Sequence, residues 1–319
     1  MYQKLYKGDC LEVMKDIPDG SIDLILCDLP YGTIKNMGID GWKNKDEQCS
    51  WDETLDNKLL FKQYERVLRE NGIVILFSQE PFTSTLRTLD YPNIEFAYPS
   101  IWIKDHFANG LIAKKAPVNY FEDINIFYKK YDASNMNPLR SYFDKILKFV
   151  NCKSCNDIDR LLKHQKANHT FRVNSTQFKL CTEKVYNELI HILKFDKECW
   201  FKTYNELLEI NSKFTRTFNL PNGYKVKSNV YTYKKDYDGL HPTQKPVLLL
   251  EDLINTYSNS EDLVLDNCMG SNSTGIACLN TNRNYIGIEM NDTYFNIGVD
   301  RTKRHIQDNN IDCELEMIE

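Results

Sequence analysis

Several short runs in this chain are almost wholly apolar and do not alternate. Residues 22–27 (IDLILC) and 73–77 (IVILF) are the clearest, with 263–265 and 285–288 near the C-terminus. A strand with one wet face alternates, whereas a run with no polar gaps suits a parallel strand covered on both faces. Residues 5–8, 95–103 and 124–128 complete the strand candidates, the last placed at or near a sheet edge. Helical spacing separates them: apolar residues at 60, 61, 64, 67 and 68 predict a helix over 59–69, with Asn71-Gly72 as its stop. Further helices are expected at 11–15 and 247–257. Strands separated by helices predict an open, mostly parallel α/β sheet, whose ligands sit at the carboxyl ends of the strands.

Between residues 130 and 235 the pattern changes to short helices rich in Lys, Asn and aromatics, expected at 142–150, 157–165, 182–193 and 204–209. The chain therefore reads as one sheet domain, 1–130 and 236–319, interrupted by a mostly helical insert, 131–235. Charge changes that picture further. The whole chain is acidic at −5, yet residues 130–240 carry 20 Lys+Arg against 12 Asp+Glu, leaving 20 against 33 in the remainder. An acidic body with a basic insert is what one phosphate-binding module produces, although a solvated lysine-rich surface has the same composition. No apolar run is long enough for a signal peptide or a membrane helix, so a cytoplasmic location without membrane contact is expected. The ten cysteines are then reduced thiols. Cys152-x-x-Cys155 invites a zinc reading with Cys181, Cys199, His164 or His169. No second paired motif follows at finger-like spacing, and no metal is expected.

Two segments carry chemistry. Asp266-Asn267-Cys268-Met269-Gly270-Ser271-Asn272-Ser273-Thr274 follows the strand at 263–265, and small residues there let backbone approach a ligand while the next helix offers free amides. About 20 residues on, a strand ends in Gly287-Ile288-Glu289, an acid placed to grip both hydroxyls of a ribose. The unit suits a nucleoside-like cofactor, but a dinucleotide and S-adenosylmethionine fit it equally, and a plain βα turn is the ordinary alternative. Asp28-Leu29-Pro30-Tyr31-Gly32-Thr33 follows the strand at 22–27. It sets a carboxylate, a rigid backbone and an aromatic face together, the parts needed to hold a planar ring bearing an amine.

With the Asp-x-Pro-Tyr element first, then the basic insert, then His241-Pro242-Thr243-Gln244-Lys245-Pro246, then the glycine-containing loop and acid, the chain resembles the β-class, circularly permuted DNA amino-methyltransferases. The resemblance covers residues 1–130 and 236–306. It implies a Rossmann-like, seven-stranded mixed sheet with one antiparallel strand, an inserted target recognition domain, S-adenosyl-L-methionine as cofactor and double-stranded DNA as partner. It implies that Asp28 and the carbonyl of Pro30 accept the target amine's hydrogens, and that Tyr31 stacks on a base flipped out of the duplex. On the cofactor side it implies Glu289 at the ribose, Asp9 and Cys10 at the adenine, and Asp266 near the methionine amine. His241, Pro242, Thr243, Gln244 and Lys245 would line the methionine end. Asp28 and the loop residues Asn267, Cys268, Gly270, Ser271, Asn272, Ser273 and Thr274 complete the expected cofactor contacts. Three positions depart from the family pattern: Leu29 replaces a proline, Asn267-Cys268 replaces Pro-Phe, and Asn272 replaces a glycine, where Asn tolerates positive φ better than most residues.

In this family an aspartate at the first catalytic position goes mostly with adenine, so methylation of the N6 amine in a specific DNA sequence is expected. N4 methylation of cytosine is the alternative within the class, and a catalytically silent DNA-binding protein on the same fold the alternative outside it. The resemblance leaves a homodimer and a cognate restriction endonuclease open. In the insert, Lys163, Lys166, Asn168, Arg172, Asn174 and Lys179 are the candidate DNA contacts, with Ser175, Thr176 and Gln177 beside them, in a stretch that suggests a helix-turn-helix-like reader. Trp42 and Trp51, in a polar stretch of 33–53, are candidates to close over the site or enter DNA.

Overall fold

The computed structural model describes residues 1–32, 55–108, 113–129, 137–175, 177–212, 214–236 and 244–318. The polar stretch with Trp42 and Trp51, and the residues His241, Pro242 and Thr243, lie outside them. The described chain forms two compact units, one of Met1–Lys130 with Arg216–Glu319 and one of Tyr131–Thr215. No helix among the described residues is long and apolar enough to cross a membrane.

The first unit is built on nine strands: β1 (Tyr2–Lys7), β2 (Ile22–Asp28), β3 (Leu68–Ser78), β4 (Ile94–Ala108), β5 (Asn119–Lys129), β6 (Val230–Thr232), β7 (Leu263–Asp266), β8 (Asn284–Glu289) and β9 (Glu314–Ile318). They lie in the order β6-β4-β5-β3-β2-β7-β8-β1-β9. Among them β5 alone runs antiparallel to its neighbours. The expected mixed sheet is present with nine strands rather than seven, since the short β6 and β9 extend its two edges. Those two were not legible in the sequence, because a three-residue strand and a half-exposed edge strand carry no buried run.

The unbroken apolar runs have the physical cause that periodicity suggested. Leu24, Leu26, Ile73 and Ile75 face one core, with α8 (Val247–Tyr257), α9 (Ser273–Asn280) and α10 (Asp292–Asp308). Ile25, Cys27, Val74 and Leu76 face the other, with α1 (Cys10–Val13), α2 (Asn57–Val67) and α3 (Phe82–Arg87). Both faces of β2 and β3 are dry, so neither can alternate.

Three expectations at the element level need correction. Helix α2 ends at Val67, before Asn71-Gly72, and β3 begins at once at Leu68. Asn71 takes φ 58° inside a strand irregularity opposite β2, so the turn signal marks a bulge and not a helix stop. The strand expected at or near a sheet edge, β5, is third from the edge, between β4 and β3. Its polar residues Glu122, Asp123 and Asn125 are nonetheless buried, because ion pairs and hydrogen bonds satisfy them. The insert ends near Thr215 rather than 235, since β6 pairs with β4 and residues 216–236 belong to the sheet unit. Tyr131–Thr215 then holds 14 Lys+Arg against 10 Asp+Glu, half the positive excess that the longer stretch suggested.

The second unit contains α4 (Leu139–Phe149), α5 (Cys155–Leu162), α6 (Glu183–Leu193) and α7 (Tyr204–Ser212) around a core rich in aromatics, with Phe143, Tyr186 and Phe195 fully buried. Between α5 and α6 lie 20 residues containing a 3-10 turn, Asn168–Phe171. A helix-turn-helix joins its helices by three or four residues, so the pair is not that motif.

Candidate active site

The parallel strands aim their carboxyl ends at one edge, and the two chemistry-bearing segments start there: Asp28 is the last residue of β2, Asp266 of β7 and Glu289 of β8. A cavity of about 820 Å³ opens at this edge. It is lined by Asp9 and Cys10 after β1, by Asp28, Pro30 and Tyr31 after β2, and by Gln244 and Lys245 before α8. Asp266, Asn267, Cys268, Gly270, Ser271, Ser273 and Thr274 line it after β7, and Glu289 after β8. Residues spread over 280 positions of sequence are thus brought to one space. Leu29 and Met269 of the two segments line it as well, as do Leu55, Leu250 and the stretch Met290 to Tyr294, which were not singled out in the sequence.

Each acid in the cavity is held by specific donors. Glu289 accepts from the backbone amides of Gly270 (3.0 Å) and Asn291 (2.8 Å), while burial raises its pKa. Asp266 accepts from the amide of Cys268 (3.1 Å), and burial pushes its pKa up to about 6. Asp9 spends one carboxylate oxygen on the amide of Leu11 (2.7 Å), capping α1. The loop after β7 is clamped from α10, where Arg301 donates to the carbonyl of Ser271 (3.1 Å) and to Ser273 Oγ (2.8 Å).

Asn272 does not line the cavity. It is fully buried at the start of α9 with φ 62°, and its Nδ2 donates to Thr302 Oγ1 at 2.7 Å. Its tolerance of positive φ is used as expected, but its role is to lock the loop onto α10. Gly275 makes room for it, since a Cβ there would meet the Asn272 side chain at 2.4 Å. At the other departure from the family pattern, Asn267 accepts from Tyr64 Oη (2.6 Å) and directs Nδ2 at the sulfurs of Cys268 (3.5 Å) and Cys10 (3.7 Å). A buried amide and two thiols stand where the family pattern has Pro-Phe. Contact with Cys268 and burial raise the Cys10 thiol, and burial pushes Cys27 beneath them up to about 12. All stay protonated near neutral pH.

Asp28 has the densest surroundings. One oxygen accepts from Tyr31 Oη at 2.6 Å and the other from Lys245 Nζ at 2.5 Å. Burial raises its pKa and the Lys245 ammonium pulls the other way. Lys245 also stands 3.1 Å from Glu122 on β5, which in turn pairs with Lys104 on β4 at 2.6 Å. Neither Glu122 nor Lys104 is legible as a site residue, because each lies in a strand pattern 18 residues from the other in sequence. The signal available was a pair of charges in otherwise core-like strands.

The insert residues sit in the second unit. Lys163, Lys166, Asn174 and Lys179 are exposed there. Asn168 is buried, donating to Asp159 (2.6 Å) and accepting from Arg172 Nε (2.8 Å), while Arg172 also donates to Gln177. Asn168 is therefore part of the insert's own framework rather than a surface reader of base edges. Cys152 and Cys155 pack against that unit's core, His164 pairs with Glu188 at 3.0 Å, and His169 contacts the Gln177 carbonyl at 3.1 Å. Among the described residues no group of three or more His, Cys, Asp or Glu is arranged to hold a metal ion.

A mixed, mainly parallel sheet with a nucleoside-sized cavity at its carboxyl edge, and an Asp-x-Pro-Tyr turn opening into that cavity, defines a Rossmann-like α/β protein with a candidate cofactor site. Comparison with known proteins makes the class specific. The chain belongs to the DNA methylase family, whose pattern matches residues 22–300. It is 27% identical over 306 residues to the DNA adenine methyltransferase YhdJ of Escherichia coli (strain K12), covering 92% of this chain and 80% of that protein. It is also 27% identical over 333 residues to the Type II methyltransferase M.HinfI of Haemophilus influenzae, covering 99% and 72%. The solved M1.HpyAVI–SAM complex shares the fold, with a TM-score of 0.53 at 20% identity over 94% of this chain and 98% of that one.

Replacing Asn272 tests the loop. Asn272→Ala loses the bond to Thr302 and places a Cβ-bearing residue without a stabilising side chain at positive φ, so a loss of roughly 1–3 kcal/mol is expected. Asn272→Gly loses the bond but not the conformation and should be milder. Equal loss in the two variants, read by urea unfolding, would show that backbone strain plays no part.

Proposed function

We propose that the chain is a site-specific DNA methyltransferase of the β-class that moves a methyl group from S-adenosylmethionine to the N6 amine of adenine in duplex DNA. The observation that carries this reading is the meeting of Asp28, Pro30 and Tyr31 with Asp266 and Glu289 around a single cavity. Its acceptors suit S-adenosylmethionine. A carboxylate stands at the end of β8 for the ribose hydroxyls, a second at the end of β7 for the ammonium, and the volume is within the usual range for small-molecule sites. When bound, that molecule supplies a methyl group already activated on a sulfonium.

The protein's part is to hold and orient. The lone pair of an adenine amine is delocalised into the ring, which makes it a poor nucleophile. Asp28 and the Pro30 carbonyl each accept one N–H and draw the nitrogen toward tetrahedral geometry, freeing the lone pair for the methyl group. Tyr31 offers its ring to the flipped base and its hydroxyl to Asp28, so one side chain serves both the base and the carboxylate. Catalysis of this kind is mainly positioning and fixed electrostatics. The 27% identity to a protein named as an adenine methyltransferase supports adenine as the target.

Incubating the protein with labelled cofactor and mixed-sequence duplex DNA, then digesting to nucleosides for mass spectrometry, tests the reading. N6-methyladenine is the expected product. N4-methylcytosine as the main product overturns the choice of base, and label found only on RNA or protein overturns the function. Asp28→Ala should abolish transfer while cofactor affinity stays within about threefold, since Asp28 serves the base more than the cofactor. Equal losses of the two in calorimetry would contradict that division.

The buried Asp266 adds a pH signature. Its pKa near 6 means the carboxylate is ionised at pH 7.5 and protonated below 6. A protonated Asp266 loses the attraction to the cofactor ammonium, so affinity should be constant above pH 7 and fall by up to about tenfold per unit below 6. Glu289, also raised by burial, acts in the same direction. Asp266→Asn should therefore bind weakly throughout and lose most of the slope, and a wild-type affinity flat from pH 7.5 to 5 would remove Asp266 from the cofactor.

A further inference from the structure

Four charges of alternating sign run along the carboxyl edge of the sheet: Lys104 on β4, Glu122 on β5, Lys245 ahead of α8 and Asp28 on β2. Three of them have side chains no more than about a tenth exposed, and Asp28 is 24% exposed where it meets the cavity. Buried charges persist only when each has a partner, and here each cation lies between or beside carboxylates. Glu122 uses one oxygen for Lys104 Nζ (2.6 Å) and Gln79 Nε2 (3.3 Å). Its other oxygen is buried without a hydrogen bond of good geometry and faces Lys245 Nζ at 3.1 Å.

That arrangement meets a difficulty in the chemistry. Asp28 must accept an N–H from a neutral amine, yet one oxygen already accepts from Tyr31 and the other from an ammonium. A cationic donor binds a carboxylate about twice as strongly as a neutral one. A second lone pair on that oxygen remains for the incoming amine, but the amine shares its acceptor with a stronger, charged donor while the ammonium sits on Asp28. A second carboxylate, whose outer oxygen already faces the same ammonium from the far side, lessens that sharing.

We propose that Glu122 is a positioning residue that draws the Lys245 ammonium away from Asp28 as the target amine arrives, so that one Asp28 oxygen passes from ammonium to amine. Lys104 sets how strongly Glu122 pulls, because it neutralises the same carboxylate from the other side. The proposal rests on the methyl-transfer reading above. It assigns to β4 and β5 a part in catalysis through Lys245.

The test is the pH profile of kcat for the full chain with duplex DNA, alongside calorimetry of the cofactor. Asp28 faces Lys245, Glu122, Tyr31, and Asp266 on β7, and the Lys104–Glu122 end also faces Lys235 and Asp105. Glu122→Gln leaves Lys245 wholly on Asp28, so the kcat plateau should fall on the order of 10- to 100-fold. It also removes a negative charge that raises Asp28, so the acidic limb should move to lower pH. Lys104→Met strengthens the pull of Glu122 and should move the limb the opposite way. Cofactor affinity should be unchanged in both. A plateau held within about threefold in Glu122→Gln, limbs moving in the same direction, or cofactor affinity falling with kcat would each overturn the proposal. If Glu122→Gln does not fold, Lys104→Met decides alone: a limb moved upward supports it, and a limb unmoved or lowered overturns it. A wild-type chain that puts no methyl on DNA overturns the earlier reading instead, and the two failures are told apart by that control.

Discussion

The pairing of Asp28 with Lys245 joins residues 217 positions apart, and the rest of the site is organised around it. A carboxylate at the mouth of a low-dielectric cavity is unstable without a counter-ion. The lysine that supplies it comes from the segment entering α8, after the insert has been traversed. The pair can form only if β2 lies in the middle of the sheet and α8 packs on the face that holds Leu24 and Leu26. Satisfying that one charge therefore ties the two halves of the sheet unit across the interruption. It also places Tyr31, whose hydroxyl takes the remaining oxygen, at the lip of the same cavity.

The sheet converts this pairing into a site. Parallel strands present all their carboxyl ends on one edge, so Asp28, Asp266 and Glu289 converge without any of them being close in sequence. Among the described strands only β5 is reversed, and the reversal matters chemically. It brings the start of that strand, with Glu122, to the edge where the other strands finish. A buried glutamate at the beginning of a strand is thus placed behind Lys245, where a parallel strand would have shown its last residue.

Two of the three departures from the family pattern, both in the loop after β7, show how a loop can change residues and keep its shape. Asn272 supplies the left-handed backbone that glycine would otherwise provide, and anchors itself to Thr302. Asn267 and Cys268 form a polar and sulfur-lined patch with Cys10, held in place by Tyr64. The phenol that fixes Asn267 comes from α2, so this wall is supported from the opposite layer. Its thiols remain protonated and weakly nucleophilic.

By itself the sequence determined the layered α/β class, the buried strands β2, β3, β7 and β8, the helical character of the insert, and the acids that end three strands. Those features are local: a strand dry on both faces must be apolar throughout, and an acid that follows such a strand must stand at its end. What tertiary structure alone decided is non-local. Strand order set β5 inside the sheet despite its polar residues, because Glu122, Asp123 and Asn125 find partners only on other strands and helices. Pairing with β4 moved residues 216–236 out of the insert, a contact that three residues of sequence cannot announce. Packing buried Asn168 and Asn272, two side chains that a linear pattern leaves free to meet a ligand. The link from Lys104 through Glu122 to Lys245 leaves in the sequence only two charges in core-like strands, with nothing to say that they pair, since charge pairing depends on distances in space that a chain acquires only when it folds.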